Sequence, residues 1–175
     1  PQALARQGLK LALPAIAEAV RDGANRPARE KMAHAALLSG MALANAGLGM
    51  AHGVAPALGV HCRVPHGAAC ALLLPVALRV NREVRRAELA ELADLLLERG
   101  PSSTPEADAD ALIDALIESV ERLCDEVGTP RRLSDLGVKP EQIPAIVQSS
   151  RGSSMSANPR DLSDAELTEI LEGIR

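Results

Sequence analysis

Residues 45–81 read NAGLGMAHGVAPALGVHCRVPHGAACALLLPVALRVN and hold three of the four histidines (His52, His61, His66), two of the three cysteines (Cys62, Cys70) and a dense set of Gly and Pro. Fourteen residues separate His52 from His66. On one straight helix they would stand about 21 Å apart, whereas two imidazoles on one metal, each bonded at about 2.0–2.1 Å, must bring their nitrogens within a few ångströms. The chain between them has the means to reverse. Gly59 is placed to end a helix beginning near Leu48, and Pro65 to open another with His66 in its first turn. A helix, a sharp return and a second helix point both side chains into one cleft. The first-turn position also sets His66 against the positive end of a helix dipole, which disfavours imidazolium and leaves a neutral ring able to donate to a metal. The same dipole repels a bare cation, so a carboxylate is expected to complete the site. By spacing alone, packed or solvated histidines remain an alternative.

Length and composition bound the setting of this stretch. The 175 residues suffice for one domain with a proper core. The sequence contains no Phe, Trp or Tyr, so the core must be built from Leu, Ile, Val, Met and Ala, and bases have no aromatic platform to stack on. Abundant Ala and Leu, with few β-branched residues, favour helices over sheet. A net charge of -4 without a basic run argues against nucleic acid as a partner. The longest apolar run, residues 68–78, is too short to span a membrane and is interrupted by Pro75. Nothing at the first residues reads as a secretory leader. Three irregularly spaced cysteines read as reduced, buried, cytoplasmic thiols. Cys62 beside His61 lacks a third group to orient a nucleophile.

Taken in order, residues 2–22 show helical periodicity through Leu9, Leu13, Ile16 and Val20, with Pro14 expected to kink or split the helix. Pro27 opens a helix to about Ala46. The helix from His66 is apolar nearly all round and is expected to be the central, most enclosed one, ending at Asn81. An amphipathic helix follows over residues 83–99. Residues 100–105 read as a linker, with Thr104 and Pro105 capping a helix that reaches Val127. Beyond Gly128 the chain reads as short helices and turns. Residues 149–156 are polar and of low complexity, expected as a mobile loop. Asn158 and Arg160 are read as turn residues, and a closing helix over residues 163–174 is capped by Ser163 with Glu166 three later.

The order Ala-Asn-Ala-Gly-Leu-Gly-Met-Ala-His52-Gly, Ala-Leu-Gly59, Val-Pro-His66-Gly and Ala-Leu-Leu-Leu-Pro75, with Asn81 closing the helix, resembles the second-domain signature of the iron-containing (group III) alcohol dehydrogenases. The Leu-Gly-Val and Asn158-Pro159-Arg160 turns and the closing helix extend the likeness over nearly the whole chain. The resemblance implies an all-α helical bundle, residues 1–175 forming a single helical domain. It places His52 and His66 at two of the family's four metal ligands. It further implies Fe2+, or Zn2+ in some relatives, with NAD or NADP held by another domain and a small alcohol or aldehyde as substrate. Pro56 departs from the pattern, because many members carry there a further histidine close to the metal and the nicotinamide. The family's other two ligands, an Asp and a His one turn apart, lie farther upstream than this chain extends, as does the nucleotide-binding domain. The chain is therefore expected to be a fragment, inactive by itself and without catalytic residues of its own. Glu30 and His34 copy the acid-then-histidine spacing but stand in the wrong place, and are read as a solvent-facing pair.

Two other readings compete. One is a zinc-dependent enzyme resembling dehydroquinate synthase or glycerol dehydrogenase. The other is a non-catalytic helical interaction module, favoured by Pro56 and the missing ligands. Homo-oligomerisation fits either.

Overall fold

A computed structural model describes residues 1–97 and 109–175, and every regular element among them is helical. The all-α expectation holds. The chain divides into two compact units, residues 1–46 with 86–127 and residues 47–85 with 128–175.

The first unit contains α1 (Gln2–Arg21), α2 (Arg26–Leu43), α5 (Arg86–Leu96) and α6 (Ala109–Glu126). Helices α1 and α2 pack along one another, and a Cβ added at Gly8 would stand 3.3 Å from the Ala35 carbonyl oxygen. This approach depends on small residues. Of the kink or split expected at Pro14, the split does not occur: α1 runs through it from Gln2 to Arg21. Pro14 removes one intrahelical donor, but Gly8 and Ala15, on either side of it, are both buried, so packing fixes the helix before and after the ring. Asn25 caps α2, its Oδ1 accepting from the Ala28 amide at 3.1 Å. In α6 the buried Leu112, Ile113, Leu116, Ile117 and Cys124 line one face, as the periodicity predicts. α5 begins at Arg86 because residues 82–85 form turns. The expected end of α5 near Arg99, the linker and the Thr104–Pro105 cap lie outside the described residues.

The second unit contains α3 (Met50–Cys62), α4 (His66–Asn81), α7 (Ile143–Ser149) and α8 (Asp164–Gly173), with 3-10 turns at Leu133–Leu136, Pro140–Gln142 and Met155–Ala157. Its core gathers Met50, Val54, Leu58, Leu73, Ile146 and Leu167, all but inaccessible to solvent. The most enclosed helix is α3 and not, as the apolar run suggested, α4. Met50, Gly53, Val54, Ala55, Ala57 and Leu58 of α3 are buried, against Ala69, Leu72, Leu73 and Pro75 of the longer α4. The reason is small size: α3 is packed against α4, α7 and the Met155–Ala157 turn, and a Cβ at Gly53 would come within 2.9 Å of Met155 Cβ. Within the polar stretch 149–156, Ser150 is fully buried, its hydroxyl donating to the Ile146 carbonyl at 2.7 Å. The Ser163–Glu166 capping box opens α8 as expected.

Candidate metal centre

Two helix starts carry the histidines. At the first, Gly49 has no side chain with which to cap α3, and Asn158 Oδ1 does so instead, accepting from the Met50 amide at 3.0 Å. His52 is then the third residue of the helix. α3 continues through Gly59 to Cys62, so the reversal comes four residues later than the glycine suggested. It is made at Arg63, whose backbone is left-handed (φ 57, ψ 27). A non-glycine residue adopts this conformation at a cost of about 1–2 kcal/mol. Two bonds offset it: the Arg63 amide donates to the Gly59 carbonyl at 3.1 Å and the Val64 amide to the Leu58 carbonyl at 3.3 Å. Val64 thus passes back beside the last turns of α3, and three residues can cover about 10 Å of return. Pro65, extended (φ −60, ψ 134), precedes α4 and makes His66 its first residue.

The return brings the two imidazoles together. Their ring centroids are 5.3 Å apart with the planes at 60°. A third donor joins them: Cys70 Sγ lies 3.4 Å from His66 Nε2, and the potential ligand atoms of His52, His66 and Cys70 all fall within 4.8 Å of one another. His66 is exposed, while His52 and Cys70 are half-buried. Burial, and then the facing charge of His66, push the His52 pKa down, so its ring is neutral at neutral pH with a lone pair to donate. Burial pushes the Cys70 thiol up, so it stays protonated until a cation draws the proton off. The donors suit a borderline divalent transition metal. These three groups would give a four-coordinate metal one ligand too few.

Cys70 was not among the residues that the sequence pointed to for this cluster. Its signal is the spacing of one helical turn after His66, hidden inside an apolar run. The other candidates fall elsewhere. His61 Nε2 is 2.8 Å from Ser149 Oγ, and the His61 carbonyl accepts from Gln142 Nε2 at 3.1 Å, so His61 is engaged with the α7 region. Burial raises the Cys62 thiol, the wrong direction for a nucleophile at neutral pH. Glu30 is held by Arg26 at 2.7 Å and His34 is exposed. Pro56 is exposed one turn past His52 and supplies no N–H to the His52 carbonyl. Asn158 is buried, and Arg160 pairs with Glu166, in keeping with turn-building roles.

Residues 2–174 match the profile described as the Fe-containing alcohol dehydrogenase family, C-terminal. The chain is 37% identical over 169 residues to 1,3-propanediol dehydrogenase of Klebsiella pneumoniae, a match covering 96% of this chain and 43% of that protein. It is 32% identical over 162 residues to lactaldehyde reductase of Escherichia coli, covering 91% and 41%. Among solved structures, 1,3-propanediol oxidoreductase superposes with a TM-score of 0.88 at 34% identity, over 99% of this chain and 44% of that one. The alcohol dehydrogenase from Oenococcus oeni gives 0.90 at 31%, over 99% and 45%. The chain therefore spans less than half the length of the relatives it matches. It belongs to the Fe-containing alcohol dehydrogenase family, as the helical C-terminal domain.

Proposed function

We propose that the 175 residues act as one helical domain, the metal-binding, cleft-forming half of an NAD(P)-dependent alcohol dehydrogenase or reductase acting on a small alcohol or aldehyde. The observation that carries this reading is the 5.3 Å convergence of the His52 and His66 rings. In it, the two imidazoles grip a divalent metal, Fe2+ as the family name implies or Zn2+. A bound metal of this kind acts as a Lewis acid on the substrate oxygen, easing hydride transfer at the adjacent carbon. The chain's own contribution is positional: α3 and α4 present two imidazoles from two helix starts, and the buried core behind them fixes their separation. Pro56 contributes no proton donor where many family members have a histidine. The remaining ligands and the nicotinamide site come from outside these residues, so the 175-residue chain alone is inactive.

The test is metal analysis and NAD(P)-linked turnover of the intact enzyme beside its His66→Ala form. Loss of metal and turnover together, with helical circular dichroism unchanged, is the expected result. Full metal occupancy in the variant would overturn the assignment.

A further inference from the structure

We propose that Cys70 is a third donor to the metal held by His52 and His66, so that this chain carries a two-nitrogen, one-sulfur site of its own and prefers thiophilic divalent ions over Fe2+. This rests on the metal-binding reading above and deepens it. Three observations place the thiol. Cys70 lies one turn after His66 on α4, so both side chains leave the same face. Its Sγ is already 3.4 Å from His66 Nε2. With metal–nitrogen bonds of about 2.0–2.1 Å and metal–sulfur bonds of about 2.3 Å, a tetrahedral centre sets nitrogen and sulfur about 3.6 Å apart and the two nitrogens about 3.3 Å apart. The nitrogen–sulfur distance is in place, and the 4.8 Å limit on all donor separations leaves a closure of at most about 1.5 Å.

Binding releases one proton: the Cys70 S–H bond breaks, the sulfur electron pair goes to the metal and the proton to solvent. A thiolate shifts preference from Fe2+ toward Zn2+ and Co2+, as soft donors and the divalent affinity order both require. It also supplies the negative charge that two imidazoles lack, which a cation near the positive end of α4 needs.

The probe is Co2+ added to the reduced, metal-free 175-residue chain under argon. A sulfur-to-cobalt charge-transfer band in the near ultraviolet, saturating at one equivalent, is expected. Cys70→Ser should abolish the band and weaken Co2+ binding by at least roughly 10-fold, whereas Cys62→Ser leaves both unchanged. Ligand-field bands without charge transfer would overturn the Cys70 assignment and leave the histidine pair standing. Absence of any Co2+ uptake would overturn the three-donor site of this chain, with the intact enzyme's metal content still deciding the histidines. A band that survives His52→Ala and His66→Ala together would overturn both readings.

Discussion

The side-chain amides of Asn81 and Asn158 exchange two hydrogen bonds, Asn81 Nδ2 donating to Asn158 Oδ1 at 3.0 Å and Asn158 Nδ2 donating to Asn81 Oδ1 at 3.1 Å. The same atoms also bond backbone groups of Met50, Ala77 and Arg160. Asn158 Oδ1 accepts from the Met50 amide, Asn158 Nδ2 donates to the Arg160 carbonyl and Asn81 Oδ1 accepts from the Arg160 amide. The end of α4, the start of α3 and the 158–160 turn are thereby held by one satisfied network. Replacing Asn158 by Ala leaves buried groups unpaired and should cost about 1–3 kcal/mol in urea unfolding. The doubly substituted Asn81→Ala, Asn158→Ala protein should lose less than the sum of the single losses, because the two share partners. Strict additivity would refute the network.

Replacing His66 by Ala should change stability by no more than about 0.5 kcal/mol, since the side chain is exposed and caps nothing. Metal retention should fall all the same. Thermal unfolding followed by circular dichroism, alongside elemental analysis, separates the two effects. A large drop in the unfolding midpoint would assign His66 a structural role instead.

Pro56→His should add an imidazole one turn past His52 and restore an N–H toward the His52 carbonyl. In the intact enzyme, turnover of small alcohols should rise while metal content stays constant. No change in turnover would mean that the missing histidine is not what limits activity.

Gly53→Ala should lower the urea midpoint. The new methyl meets Met155 Cβ at 2.9 Å and Met155 Cα at 3.1 Å, neither of them the free end of a side chain. Overpacking of this kind costs about 1–3 kcal/mol, against about 1 kcal/mol gained from the better helix former. An unchanged midpoint would show that α3 and the Met155–Ala157 turn separate easily.

The Ser163 cap gives a pH signature. The Ser163 backbone amide and hydroxyl, with Arg160 nearby, hold the Glu166 carboxyl below the ordinary carboxylate range. A depressed carboxyl contributes stability above its unfolded pKa and loses it as pH falls through the lower folded value. The stability difference between wild type and Glu166→Gln should therefore be full at neutral pH and shrink in that acid window. A difference independent of pH would mean that the charge of Glu166 plays no part.

Much of this architecture was legible in the sequence. Apolar periodicity located the helices, Pro65 marked the start of α4, and Ser163 with Glu166 announced α8. Gly59 and Pro65 signalled a reversal between His52 and His66, which left their convergence as one of the readings open to the sequence. Three things were not legible, each for a physical reason. The turn falls at Arg63 and not Gly59, because two backbone hydrogen bonds hold a left-handed residue that composition does not advertise. Helix α3 is more enclosed than the more apolar-looking α4, because Gly53, Ala55 and Ala57 admit neighbours closely, and burial depends on that approach as much as on hydrophobicity. Cys70 looked like one more buried thiol in an apolar run, because spacing puts it on the face of His66 without saying that the side chains bring sulfur within 3.4 Å of nitrogen.

A core assembled without a single indole, phenol or phenyl ring has an optical consequence. The chain barely absorbs in the near ultraviolet and has no intrinsic tryptophan or tyrosine emission, so unfolding must be followed through backbone signals. The same transparency means that any colour arising there on metal addition belongs to metal-bound groups and not to aromatic side chains.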